Sequence, residues 1–225
     1  MGEAAFYPLR PALAPDALAC AAVAAALSWS MGVTGMVLAA SVVPLSLLAA
    51  WPDRDSYRPS QANRVTLVRA AAVGGVAAWL FEGDPPLPVV GLAAVALALD
   101  GVDGFVARRT RTTTAFGARL DGELDALFMA VLSVLAAYRV GPWVLLAGAL
   151  RYLWVLAQLG LPWLRQPLDD RYARKVLCAL GAAALITSLA LPTGAAVAAA
   201  FGVACLASSF GRDALYLRRA SRNPG

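Results

Sequence analysis

Four aspartates, Asp100, Asp103, Asp121 and Asp125, lie within DGVDGFVARRTRTTTAFGARLDGELD, between long apolar runs. On a helix that continues through Asp100, Asp103 at i+3 points the same way, about 60° round, and Ala107 shares that face. Asp121 and Asp125 are an i, i+4 pair near the start of the next apolar segment. Glu123 falls about 200° away from Asp121 and is left out of the site. A short basic link joins the two segments, so they are expected to be antiparallel neighbours whose carboxylate pairs meet at one depth. Four like charges that close cannot all stay ionised alone. One or two divalent cations would compensate them. Two such ions about 4 Å apart would clamp a diphosphate and stabilise an in-line displacement. Gly104 and Gly117 would let a bulky nucleotide reach the backbone, and Arg108 is placed to bridge phosphate oxygens.

Two other readings stand beside this one. Asp100-Gly101, Asp103-Gly104 and Asp121-Gly122 are turn signals, so the aspartates would also suit a solvated loop. Acids within a membrane are used in cation or proton pathways as well. The transporter reading has no use for the Gly104, Ala107, Arg108 and Gly117 pattern, and the acids lie at one membrane edge and not at several depths.

The elements that must carry these residues are membrane helices. Of 225 residues, 60% are hydrophobic and 15% charged, with a mean hydropathy of +0.66, too apolar for an ordinary soluble domain. Ala17–Trp51 and Val176–Gly211 contain no charged residue. Crossing a bilayer takes about 20 apolar residues as a helix, and the period-two alternation of an outer-membrane barrel is missing. The fold class is therefore all-α: a polytopic membrane helical bundle with a six-helix core behind a two-helix N-terminal hairpin. As one helix, Ala17–Trp51 would be about 50 Å long for a ~30 Å core, and its middle, Ser28-Trp29-Ser30-Met31-Gly32-Val33-Thr34-Gly35, is rich in breakers. A single tilted helix is the alternative. A polar loop follows, from Trp51 to Asn63. Six apolar segments come next, at roughly 63–81, 86–107, 114–138, 141–164, 174–191 and 194–217. Residues 1–60 form the hairpin and loop, and 61–225 the six-helix domain.

Charge orients the segments. Arg54, Arg58, Arg64 and Arg69 lie before or within the first of the six. Arg108, Arg109, Arg111 and Arg119 lie between the second and third, Arg165, Arg171, Arg174 and Lys175 between the fourth and fifth, and Arg212, Arg218, Arg219 and Arg222 after the sixth. Sixteen of nineteen basic residues thus fall on one side. The opposite turns carry Glu82 and Asp84, with Arg139 the one intruder. Positive charge stays inside, so the aspartates are expected to face the cytoplasm, in a multi-pass protein of the cytoplasmic membrane. The net charge of +5 reads as this bias and not as a nucleic-acid surface, since basic residues interleaved with aromatics are missing. There is no histidine, and Cys20, Cys178 and Cys205 are far apart. Any metal must be held by oxygen, which favours Mg²⁺, Mn²⁺ or Ca²⁺.

The pattern Asp100-x2-Asp103-Gly104-x2-Ala107-Arg108-x8-Gly117-x3-Asp121-x3-Asp125 resembles the full signature of the CDP-alcohol phosphatidyltransferase family, with all eight fixed residues present. The resemblance covers about residues 61 to 225. It implies transfer of a phosphoryl-linked alcohol from a CDP-alcohol to an acceptor hydroxyl, with release of CMP. Asp100, Asp103, Asp121 and Asp125 match the metal ligands, for Mg²⁺ or Mn²⁺ and two ions. Asp125 also matches the base that takes the acceptor's proton. Gly104, Ala107, Arg108 and Gly117 match the region that holds the CDP moiety, and Thr114 a hydroxyl that contacts the nucleotide. Asn63-x2-Thr66-x2-Arg69 is similar to the family's first-helix pattern, which approaches the nucleotide from the other side. Helix capping by Asn63 and ordinary positive-inside charge would explain those residues equally well. The donor expected is CDP-diacylglycerol and the acceptor a small polar alcohol. A CDP-aminoalcohol donor acting on diacylglycerol is the alternative within the family. Candidate acceptor residues are Arg151, Arg171, Arg174 and Lys175. The family's Thr or Gln near Lys175 is replaced here by Val176, Leu177 and Cys178, and positive-inside charge accounts for Arg171, Arg174 and Lys175 as readily. Members of the family often form homodimers; no interface is legible in this sequence.

Overall fold

The structure, a computed structural model, describes residues 13–29, 32–50, 52–53, 61–110, 114–166 and 172–222, with the side chains of 13, 14, 27, 61, 62, 103–110, 172 and 222 outside the description. These residues form eight α-helices: α1 (Leu13–Leu27), α2 (Gly32–Ala50), α3 (Gln61–Ala77), α4 (Leu87–Thr110), α5 (Ala115–Val140), α6 (Leu145–Gly160), α7 (Tyr172–Ala190) and α8 (Ala195–Arg222). No strand occurs among them. The all-α membrane architecture read from the apolar runs is the one observed. Of the loop expected over 51–63, residues 61–63 already belong to α3, and 54–60 lie outside the described residues. The first apolar run is two helices, not one: α1 ends at Leu27 and α2 begins at Gly32. Gly32 has φ +68°, a conformation that costs side-chain-bearing residues heavily. Gly141, at φ +97°, turns the chain out of α5, and Pro142 opens the short 3-10 turn that leads into α6.

Among the described residues, four helical stretches are long and apolar enough to cross a membrane by length and composition: Gly32–Ala50, Pro142–Gly160, Ala173–Ala190 and Ala195–Ser221. Pro15–Ala26 and Leu87–Val102 are shorter apolar stretches. The sequence reading counts α3 and α5 as spans as well. These two carry Arg64 and Arg69, and Asp121, Asp125 and Arg139, so polar chemistry interrupts their apolar faces.

The chain divides into two compact units, one of residues 1–82 and 88–125, the other of 83–87 and 126–225, with the boundary inside α5. In the first unit, α1 and α2 pack on α3 through small residues. Ala24, Ala39, Ala71 and Ala78 form a buried cluster, with Cys20 against it. A methyl at Gly74 would overlap the Ala39 carbonyl oxygen and meet Ala24 Cβ at 3.3 Å, so α2 and α3 touch nearly backbone to backbone, as small residues allow in membranes. Two ion pairs tie the polar ends of these helices to α3 and α5: Arg64–Asp16 at 3.0 Å and Arg119–Asp53 at 3.1 Å. Apolar residues on one face of α5, Phe116, Leu120 and Leu124, are fully buried.

In the second unit, α7 and α8 meet through Gly181 and Gly202. A Cβ on Gly202 would come within 3.0 Å of the Gly181 carbonyl oxygen. Trp154 of α6 meets Phe210 of α8 edge-on, ring centroids 5.7 Å apart. Leu153, Leu156 and Leu159 of α6 stay exposed, as a lipid-facing surface requires. The intruding Arg139 is accounted for here. It pairs with Asp84 at 2.5 Å and donates to the carbonyl oxygens of Leu189 (2.5 Å) and Ser188 (3.3 Å), in the last turn of α7. Its charge therefore answers one carboxylate and the negative end of a helix.

Candidate active site

The site lies in the first unit and is built on three helices. Arg69 sits at the middle of α3 and is 1% exposed. Its guanidinium reaches Asp100 Oδ1 of α4 at 2.9 Å and Asp121 Oδ1 of α5 at 2.5 Å, and bonds Asp125 Oδ1 one turn further along α5. The i, i+4 spacing of Asp121 and Asp125 puts both carboxylates on one face of α5, as expected. Each of Asp100, Asp121 and Asp125 offers an oxygen within 4.8 Å of the others'. Glu123 is not in this group. Asp103, Gly104, Ala107 and Arg108 continue α4, but their side chains lie outside the described residues.

The first turn of α5 is capped by Thr114, whose Oγ1 accepts a hydrogen bond from the Gly117 backbone N–H at 3.0 Å. A Cβ on Gly117 would meet Asn63 Oδ1 at 3.0 Å and Thr114 Oγ1 at 3.2 Å. Gly117 thus lets the start of α5 lie against the start of α3. Asn63 and Thr66 are buried on that helix, nearly two turns and about one turn before Arg69. The two motifs singled out in the sequence, one on α3 and one spanning α4 and α5, are parts of one constellation.

The carboxylate set suits a hard divalent cation. Its donors are oxygens alone, close enough to converge on one centre, and among the described residues no thiol or imidazole joins them. The buried guanidinium already held among these oxygens is an independent sign that they gather positive charge.

The remaining candidates belong to the second unit. Arg151 is half-buried in α6, and Lys175 is exposed on α7. Arg174 pairs with Asp213 of α8 at 3.8 Å, beside a small recess lined also by Ala173, Leu177, Ser209 and Arg212. Arg171 lies outside the described residues. Sequence reasoning did not find Asp213, which is 8% exposed despite its charge; the one acid within α8, directly after Arg212, was the signal available. It also assigned Arg69 to the nucleotide side, without its direct bonds to the aspartates.

An acid cluster carried by two helices surrounds an arginine of a third, with an N-capped glycine-bearing turn beside it, and this donor set suits a divalent cation. The family model for CDP-alcohol phosphatidyltransferase matches residues 60–210. The chain belongs to this family, and is a membrane transferase of substituted phosphate groups that acts on a CDP-alcohol in lipid synthesis. No curated protein and no solved structure gives a significant match.

Proposed function

We propose that the protein transfers a phosphatidyl group from CDP-diacylglycerol to the hydroxyl of a small polar alcohol, releasing CMP. The observation that carries this reading is the meeting of Asp100, Asp121 and Asp125 around one buried arginine, on helices that the family match spans. Asp100, Asp103, Asp121 and Asp125 would hold Mg²⁺ or Mn²⁺, as two ions. When bound, the metal neutralises diphosphate charge and improves CMP as a leaving group, which phosphoryl transfer needs more than covalent help from protein. Asp125 takes the proton of the attacking hydroxyl, a role open to a carboxylate in a chain without histidine. Gly104, Ala107, Arg108, Thr114, Gly117, Asn63 and Thr66 bind the cytidine diphosphate portion, and Arg69 completes that group. Arg151, Arg171, Arg174 and Lys175 serve the acceptor. The distribution of basic residues supports a site opening to the cytoplasm, and residues 61–225 form the catalytic domain.

The test is CMP release from CDP-diacylglycerol by purified protein in detergent or lipid, with Mg²⁺ or Mn²⁺, across a panel of alcohols and sugar-alcohol phosphates. Metal-dependent release with one acceptor class is expected. Asp125→Asn should lower kcat by about 10²–10⁴-fold. Unchanged release in that variant would remove the base assignment, and release from a CDP-aminoalcohol with diacylglycerol alone would replace the donor.

A further inference from the structure

We infer that Arg69 is a built-in counter-cation that holds Asp100, Asp121 and Asp125 until divalent metal displaces it, so that loading the site exchanges one cation for another. The inference rests on the proposed metal role of those carboxylates. Its own ground is the geometry of the arginine. The guanidinium takes one oxygen from each of three carboxylates carried by two other helices. It is 1% exposed, so its charge is balanced by protein and not by water. A metal that takes the same acids must weaken these pairs, and a buried arginine stripped of its carboxylates is costly.

The cost depends on what arrives with the metal. Metal alone offers the displaced guanidinium nothing. Metal accompanied by a diphosphate offers it anionic oxygens, which a guanidinium binds well. Arg69 should therefore penalise metal binding in the empty site and relax that penalty when a nucleoside diphosphate binds. Affinities for the two ligands then become coupled, each strengthening the other by the same factor. The residue does not touch the reacting hydroxyl in this scheme; it is a positioning residue that sets the order of assembly.

The experiment measures Mn²⁺ binding to the full chain in detergent, from the free Mn²⁺ signal in electron paramagnetic resonance, with and without CDP. The unmodified protein should bind Mn²⁺ weakly alone and at least tenfold more tightly with CDP. Arg69→Gln should bind Mn²⁺ at least tenfold more tightly without CDP and lose most of the CDP enhancement. Arg69→Lys, which keeps the charge but cannot reach three carboxylates in one plane, should lie between them and serves if the glutamine variant does not fold. In EDTA both variants should melt at lower temperature than the unmodified protein, and Mn²⁺ should close the gap. Variants that bind Mn²⁺ no more tightly than the unmodified protein would overturn the inference while leaving the metal site intact. If the unmodified protein takes up no Mn²⁺ even with CDP, the metal reading falls and the inference falls with it.

Discussion

Arg69 and Arg139 are both largely withdrawn from solvent, and both are held by short ion pairs, yet they do different work. Arg139 meets one carboxylate, Asp84, and spends its other donors on the carbonyl oxygens of Ser188 and Leu189. The charges there are matched, and the carbonyls belong to the last turn of α7. Arg69 meets three carboxylates. Among the described side chains, and with all three ionised, the formal sum is one positive against three negative charges, a deficit of two. An arginine that closes its own account is a structural cap; an arginine in an excess of acid marks a place still short of positive charge. Burial alone does not separate the two cases, whereas the balance of partners does.

The comparison can be broken by substitution. Arg139→Ala removes a cap from α7 and breaks the ion pair with Asp84. It should destabilise the protein by about 1.5–3 kcal/mol, seen as a lower melting temperature. Its Mn²⁺ affinity should stay that of the unmodified protein, and a change there would erase the distinction drawn above. Gly117→Val tests the other region. Its side chain would press on Asn63 and Thr114, and it should raise the KM for the CDP-linked donor about tenfold, on the order of 1.4 kcal/mol, with a smaller effect on melting. The smallest effect belongs to Asp53→Asn. That residue pairs with Arg119 at a partly exposed position, so the loss should be about 0.2–1 kcal/mol and should shrink in high salt. A large loss of activity in this variant would move the Asp53–Arg119 pair from the periphery into the site.

Much of the architecture was legible because apolar runs and their breaks are local signals. The break between Leu27 and Gly32, the turn at Gly141-Pro142 and the i, i+4 pair on α5 could all be read from neighbours a few positions apart. The partners of the charged residues could not. Asp121 is 52 positions from Arg69, Asp84 is 55 from Arg139, and Asp16 is 48 from Arg64. Periodicity fixes the face on which a residue lies, but not which helix that face meets. The same limit explains why Arg139 looked like an exception to the charge rule: its compensation comes from carbonyl groups, which have no signature in side-chain composition. It also explains why the motif on α3 gives no sign of the acids that Arg69 meets.

The near-contact of α2 with α3 at Gly74 and Ala39 has a consequence for biogenesis. During synthesis α3 leaves the ribosome before Asp100, Asp121 and Asp125 exist, and a lone arginine near the middle of a nascent span costs about 2.5–3.5 kcal/mol to insert. For that interval Arg69 has no acid to answer it from α4 or α5. The alanine face of α1 and α2 has already been made by then, and it can dock α3 through backbone-close packing that needs no charge. The packing seen at Gly74 and Ala39 thus gives α3 an uncharged partner that is made before its counter-charges.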